Sequence, residues 1–205
     1  MQRLELSTQA DGVLKSAAKA LLAGGVAIFP TDTVYGIGAL PQHSAALERI
    51  YKLKDRPLGM PLPLLISDIA QVRTISSFES ESLHLLAKAF WPGPLTLVLP
   101  DASKPSNSFV AQDGTIAVRS PDHAFIQSLC KLVGPIAATS ANLHGEPTPL
   151  QISGMPKAFE AVDLMIDGGE CSHGAASTIL DLSKERLEVL REGPITKDAI
   201  LSALK

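Results

Sequence analysis

The chain has 205 residues, of which 45% are apolar, so it is long and apolar enough to fold around a core and is not a disordered segment. Its 18 basic and 21 acidic side chains leave a net charge of −3, which argues against a surface that attracts nucleic acid as a whole. An anion-binding site must therefore be local.

The sequence offers nothing for crossing a membrane. No apolar run approaches the roughly 18 residues that a span requires, and the N-terminus lacks the apolar core of a signal peptide. Cys130 and Cys171 stand in unrelated contexts, without a Cys-x-x-Cys pattern. Inert thiols in a reducing compartment explain them better than a disulfide framework. We therefore expect a cytoplasmic protein without membrane contact.

Helices and strands are predicted to alternate from the start of the chain. Apolar residues recur at helical spacing over residues 11–22, and two glycines end the helix. The apolar run 26–29 has no polar face, which is typical of a strand buried on both sides. A polar loop over residues 31–38 follows, and Ser44 is predicted to cap a helix over residues 45–53.

The rest of the chain continues this alternation of short apolar strands with amphipathic helices. Helices are expected over residues 81–90 and 123–132 and after a capping Thr196, and strands over residues 62–66, 95–99, 115–119, 136–139, 164–166, 178–182 and 187–191. This pattern predicts a mixed α/β sheet with helices packed on it, in one domain over residues 1–205. The strand order stays open.

Familiar nucleotide and metal signatures are absent from the sequence. There is no Gly-x-x-x-x-Gly-Lys loop, and Gly36 and Gly38 lack the third glycine of a dinucleotide fingerprint. No histidine has a zinc-site spacing, and the five are His43, His84, His123, His144 and His173. We therefore expect no metal site built by the protein.

A polar segment, Thr31-Asp32-Thr33-Val34-Tyr35-Gly36, directly follows the strand predicted over residues 26–29. Loops at strand ends of α/β sheets hold ligands because the sheet fixes them while their polar groups stay exposed. The alternative is an ordinary turn in which Thr and Asp bond their own backbone.

Two cations follow the next helix, Lys54 and Arg56. If the helix ends near Leu53, both residues are extended, and alternation directs both charged groups to one side. Such a pair suits a triphosphate, whose charge must be neutralised. The alternative is a solvated basic helix end that favours the helix dipole.

Further polar groups are predicted at strand ends. Ser140 and Asn142 follow the strand over residues 136–139, where small side chains let backbone amides approach a phosphate, although a turn or cap uses the same residues. Arg119 and Arg191 each end an apolar strand. A partly buried arginine is costly unless it meets an anion, so each is a candidate ligand contact, with a structural role as the equal alternative.

Together these segments resemble the YrdC-type L-threonylcarbamoyladenylate synthases. The resemblance rests on motifs in the family's order, at residues 29–38, 54–57, 91–96, 115–119, 140–142, 176–178 and 190–193. It implies a twisted open mixed sheet with flanking helices and a concave basic face, in the short, single-domain form of the family. It also implies a nucleotidyltransferase that converts L-threonine, bicarbonate and ATP, with Mg²⁺, to threonylcarbamoyl-AMP and pyrophosphate for tRNA threonylcarbamoyladenosine.

The resemblance also implies roles for particular residues. Lys54 and Arg56 would be catalytic. ATP contacts would be made by Lys54, Arg56, Thr115, Ser140, Asn142 and Arg191, and threonine contacts by Thr33, Arg119 and Ser177. Met60 and Leu65 depart from the family's pattern, which puts the amino-acid pocket in question. The implied partners are a tRNA threonylcarbamoyltransferase complex and, weakly, tRNA.

A second function stays open, namely an RNA-binding or ribosome-associated protein of the same family without synthase activity. Shape-based binding to an RNA backbone would not require the Ser-x-Asn pair at Ser140 and Asn142, which favours the synthase.

Overall fold

The computed structural model of the protein describes residues 1–6, 10–100, 108–171 and 174–205. Its α-helices in these residues are α1 (Ala10–Leu22), α2 (Ser44–Lys54), α3 (Glu81–Phe90), α4 (Ala124–Val133) and α5 (Lys197–Ala203). Its strands there are β1 (Gln2–Glu5), β2 (Ala27–Phe29), β3 (Gly36–Ala39), β4 (Leu64–Leu65), β5 (Leu95–Pro100), β6 (Ala111–Gln112), β7 (Thr115–Arg119), β8 (Ile136–Ser140), β9 (Leu164–Asp167), β10 (Thr178–Asp181) and β11 (Glu188–Arg191). Short 3-10 helices span Ile69–Thr74, Ile152–Gly154 and Lys157–Ala161.

The strands form a single sheet in the order β1-β9-β2-β3-β8-β4-β7-β5-β10-β11, with β6 paired to β7. Both pairing types occur, since β4 is parallel to β7 and antiparallel to β8. The path ends at β1 on one side and at β11 on the other, so the sheet is open. The predicted mixed α/β class is therefore confirmed.

Helices cover the two faces of the sheet unequally. On one face, α1 and α4 pack against each other and against Phe29, Ile136 and Ile166. On the other face, a larger core joins residues of α2, α3 and α5 to the opposite side of the strands, including Ile37, Val118 and Leu97. Because α1 and α4 lie over the β9-β2-β8 side, the first face stays open over β7, β5 and β10.

Two strands at the N-terminal half were not predicted. The segment Gly36–Ala39 falls almost entirely in the polar loop predicted over residues 31–38, and its two glycines are unfavourable in strands. It forms β3 because it pairs with both β2 and β8. The polar, largely exposed Gln2–Glu5 forms β1 by parallel pairing with β9, supported by an ion pair of 2.6 Å between Arg3 and Asp167.

Local capping explains where other boundaries fall. The helix α2 begins at Ser44 and is preceded by His43, which makes no side-chain cap, so the predicted Ser44 cap is wrong. The Thr196 cap is confirmed, since its hydroxyl accepts from the Ala199 amide at 3.2 Å. The strand expected over residues 62–66 shortens to β4, which begins just after Pro63, a residue without an N–H to donate to a ladder.

None of the helices in the described part of the chain combines the length and the apolar character that crossing a membrane requires.

Candidate functional site

A cavity of about 500 Å³ occupies the open part of the sheet face beside α1 and α4. Alternate residues of neighbouring strands line it, because alternate side chains of a strand point to one face. They are Thr96 and Val98 of β5, Ala117 and Arg119 of β7, Ala138 and Ser140 of β8, and Ile179 of β10 with Ser177 just before it. Ala117, Ala138 and Gly36 have small side chains or none, which leaves room for the cavity above the sheet.

The charge of the cavity lining is positive. Arg56, Arg119 and Arg191 line it, and among the described residues none that lines it carries a carboxylate. Burial lowers the pKa of Arg191, and the charges of Arg119 and Arg56 lower it further. The three guanidinium groups therefore repel one another, and an anion between them would relieve that repulsion.

Arg119 is held in a fixed orientation at one end of the cavity. It is only 6% exposed, and its donors reach the Gly93 carbonyl at 3.0 Å, Thr33 Oγ1 at 2.9 Å and Asp32 Oδ1 at 2.6 Å. Burial lowers the pKa of Arg119, whereas Asp32 opposes that shift. The guanidinium thus remains a preorganised charge with two further N–H groups for a ligand.

A second polar group connects β5, β10 and β11. The hydroxyls of Thr96 and Ser177 lie 2.8 Å apart, and Arg191 donates to the Ser177 carbonyl at 3.0 and 2.8 Å. Gly193 makes this docking possible, since an added Cβ would lie 2.4 Å from the Ala176 carbonyl oxygen. Arg191 is therefore held at the cavity wall by the backbone of its neighbouring segment.

Arg56 reaches the cavity rim through a left-handed turn. The residue after α2, Asp55, has φ 51°, and the Arg56 amide then donates to the Tyr51 carbonyl at 3.0 Å. The Arg56 guanidinium bonds the Met60 carbonyl at 3.1 Å and lies 5.8 Å from the Tyr51 ring centroid. Its side chain stays partly exposed, so an anion can approach it.

Lys54 does not accompany Arg56 into the cavity. The helix α2 extends to Lys54, so the prediction that both residues are extended and direct their charges to one side is wrong. The Lys54 ammonium is enclosed behind β8, where it donates to the backbone carbonyls of Ser140 and Asn142. Burial, and then the nearby Arg56 charge, lower the pKa of Lys54 to about 8.

Of the nine predicted site residues, six line the cavity. These are Thr33, Arg56, Arg119, Ser140, Ser177 and Arg191. Lys54 and Asn142 are buried behind its wall, and Thr115 lies two residues before Ala117 on the same face of β7. Met60 and Leu65 also line it and make part of that wall apolar.

Asp32 and Thr96 contact these residues and were not predicted as site residues. Asp32 belongs to the polar segment that follows the strand predicted over residues 26–29. Its place in that segment is the sequence signal that could have identified it as a site residue. Thr96 lies in a predicted strand, and the sequence has no sign that its hydroxyl faces Ser177, because they are 81 residues apart.

The structure also bears on a possible metal site and on the two cysteines. No group of three His, Cys, Asp or Glu residues in the described ranges could hold a metal ion, and His173 lies outside those ranges. Cys130 and Cys171 are buried and unpaired with each other, and burial raises the pKa of Cys130 to about 12.

Comparison with known proteins gives a consistent result. A sequence model of the Sua5, YciO and YrdC proteins, described as "Telomere recombination", matches residues 19–193. The threonylcarbamoyl-AMP synthase of Bacillus subtilis (strain 168) is 39% identical over 201 residues, which are 96% of this chain and 57% of that protein.

Two solved structures are similar in fold as well. Sua5 of P. abyssi, crystallised with L-threonine, superposes with a TM-score of 0.91 at 33% identity. The match covers 100% of this chain and 61% of the P. abyssi chain. YciO of E. coli superposes with a TM-score of 0.83 at 26% identity over 94% of both chains. This chain thus spans somewhat more than half the length of its Bacillus and P. abyssi relatives. The family model matches residues 19–193, which are most of the sequence. The chain therefore belongs to the Sua5/YciO/YrdC family.

Proposed function

We propose that this chain is a threonylcarbamoyl-AMP synthase, which joins L-threonine, bicarbonate and ATP and releases pyrophosphate. The observation that carries the proposal is the cavity lined by Arg56, Arg119 and Arg191 without a carboxylate. A triphosphate and an amino-acid carboxylate are the anions that such a cavity would hold together. Relatives that carry the name threonylcarbamoyl-AMP synthase support the same assignment.

The two ligands divide the cavity. We assign ATP to Arg56, Ser140 and Arg191, with Thr115 further along β7 and with Lys54 and Asn142 behind the wall. We assign threonine to Arg119, Thr33 and Ser177. The fixed Arg119 guanidinium donates to Thr33 Oγ1, and Ser177 lines the same cavity. The structure of P. abyssi Sua5 with L-threonine supports an amino-acid site in this fold.

The reaction needs no nucleophile from the protein. The threonine amine captures bicarbonate as a carbamate, with loss of water, and a carbamate oxygen then forms a bond to the α-phosphorus of ATP while the bond to pyrophosphate breaks. The protein's work is to hold the reactants in line and to neutralise their charges. Arg119 can do so without reorganising, because Asp32 and the Gly93 carbonyl already hold it.

Magnesium does not fit as a group held by this chain. No described residue lining the cavity supplies a carboxylate or a histidine, which are the ligands a protein-built magnesium site would use. The predicted Mg²⁺ would therefore arrive on the triphosphate as part of the substrate. The described residues position the phosphates through arginine and hydroxyl contacts.

The remaining expectations follow from the product. An acyl adenylate hydrolyses readily, so we propose that it passes to a tRNA threonylcarbamoyltransferase complex in the cytoplasm. The net charge of −3 and the local cluster of arginines predict that tRNA binds this chain weakly.

The test is a pyrophosphate-release assay with purified protein and ATP. We expect release only when threonine and bicarbonate are both present, and a strong reduction in the Ser140→Ala variant. Arg73→Ala is the matched control, because the Arg73 side chain is 78% exposed and pairs with Glu79 away from the cavity. Formation of ADP, or release that ignores threonine, would overturn the proposal and leave the RNA-binding function as the better one.

A further inference from the structure

The ammonium group of Lys54 is enclosed by the protein. The residue is 2% exposed, and Nζ lies 2.5 Å from the Ser140 carbonyl oxygen, 2.5 Å from the Asn142 carbonyl oxygen and 3.3 Å from Asn142 Oδ1. An ammonium has three N–H groups, so these three acceptors account for all of them. In this arrangement Lys54 has no donor left for a phosphate.

The backbone around Lys54 is tied to the same segment. The His144 amide donates to the Lys54 carbonyl at 2.8 Å, and the Ala141 amide donates to the Tyr35 carbonyl at 2.8 Å. Within the segment, Ser140 Oγ donates to Asn142 Oδ1 at 2.5 Å. The turn over residues 140–144 is therefore tied to the end of α2 through Lys54 and to the segment just before β3 through Tyr35.

We propose that Lys54 is a positioning residue, which holds the turn over residues 140–144 against α2 so that Ser140 faces the cavity, and which does not touch the triphosphate. The identity of that ligand rests on the proposed function. Arg56, two residues later, lines the cavity and contacts the ligand. Lys54 thus acts indirectly, by holding the turn in place, whereas Arg56 acts on the ligand directly.

The chemistry of the turn explains why a lysine stands here. Two carbonyl oxygens converge at the end of β8, and buried carbonyls that lack donors are destabilising. A compact ammonium on a long apolar stem can serve several carbonyls from one point, whereas the planar guanidinium of arginine suits paired oxygens. Without Lys54 the carbonyls would repel each other and the turn would open.

The first experiment uses the unmodified chain and brief acylation with acetic anhydride, read by mass spectrometry. Lys52 is the internal control, because its side chain is 80% exposed on the same helix. We expect Lys52 to be acylated rapidly and Lys54 slowly, with or without ATP. A lowered pKa makes an accessible amine more reactive, so slow acylation of Lys54 would reflect enclosure. Rapid acylation of Lys54 in the free protein, with protection by ATP, would overturn the proposal.

The second experiment compares Lys54→Met, which keeps the apolar stem, with Arg56→Met. In Lys54→Met, the Ala141 and His144 amides should exchange with solvent at least about tenfold faster, whereas the β7 amides should not change. The calorimetric dissociation constant for ATP should rise about 10- to 100-fold. Threonine affinity should stay as in the parent, because its proposed contacts lie on other elements. In Arg56→Met, ATP affinity should fall without any change in exchange.

These outcomes separate the proposal from simple loss of fold and from failure of the proposed function. Partial unfolding would lower the binding stoichiometry for both ligands and leave the ATP dissociation constant unchanged. Weakened ATP binding in Lys54→Met with unchanged exchange at Ala141 and His144 would show a direct contact and overturn the proposal. If the parent protein bound no ATP, the proposed function would fail, while acylation and exchange would still decide how Lys54 acts.

Discussion

Arg119→Ala is expected to weaken threonine binding by about 30-fold to several thousand-fold, because the variant removes a desolvated charge opposite the ligand carboxylate. The same change should lower the free energy of unfolding by about 3–5 kcal/mol, because it takes the arginine away from a buried ion pair. The Asp32 side chain is 4% exposed, so solvent cannot replace the lost guanidinium. ATP affinity should stay within about threefold of the parent, since the contacts assigned to ATP remain.

The measurements are calorimetry with each ligand separately and denaturant unfolding. The double variant Asp32→Asn with Arg119→Met serves as the control, because it removes both charges of the pair. Its stability should recover part of the loss, whereas threonine binding should not recover. Loss of ATP binding with threonine binding intact would show that Arg119 is assigned to the wrong half of the cavity.

Arg56→Met is expected to produce the complementary loss. The guanidinium at the cavity rim is assigned to the triphosphate, so the calorimetric affinity for ATP should fall by about 30-fold or more, and the rate of pyrophosphate release with it. Threonine affinity should not change. Stability should change little, because the partly exposed Arg56 side chain bonds the Met60 and Pro61 carbonyls and lies over the Tyr51 ring without a buried charged partner among its described contacts.

Arg73→Met is the control for removing an exposed arginine, and it should behave as the parent protein in both assays. If Arg56→Met left ATP binding intact while Arg119→Ala abolished it, the division of the cavity between the two ligands would be reversed. The enzyme class would be unaffected by that outcome, since both ligands would still occupy the same cavity.

The fold could be predicted where local periodicity is strong. The apolar runs at β2 and β7 and the amphipathic spacing of α1 and α3 predicted those elements within one or two residues. Where pairing partners determine a strand, prediction failed. The glycine-rich β3 is a strand only because β2 and β8 lie on either side of it, and those partners are distant in the sequence.

The sequence predicted which residue types form the site, but it predicted less well which way their side chains point. The apolar run over residues 115–119 placed Arg119 at a strand end, and in the structure Arg119 lines the cavity. Lys54 keeps a helical direction because α2 runs one residue further than expected, and the chain leaves the helix only at Asp55, which has φ 51°. No propensity of Asp predicts that conformation with certainty, because tertiary contacts select it.

Long-range contacts were beyond prediction for a related reason. Arg119 meets Asp32 across 87 residues, and Thr96 meets Ser177 across 81. Such pairs depend on strand order, which hydrophobic patterns do not encode. The open region of the sheet face was not predictable for the same reason, since it depends on which strands α1 and α4 cover.

The most direct test of whether this cavity joins three substrates is to follow the carbon of bicarbonate. Purified chain would be incubated with ATP, L-threonine and carbon-13-labelled bicarbonate, and the products would be identified by mass spectrometry. We predict an adenylate that contains threonine and the labelled carbon, together with an equal amount of pyrophosphate, and none of this product when threonine is omitted. An adenylate without the labelled carbon, or ATP consumption that yields only ADP, would contradict synthesis of threonylcarbamoyl-AMP by this chain.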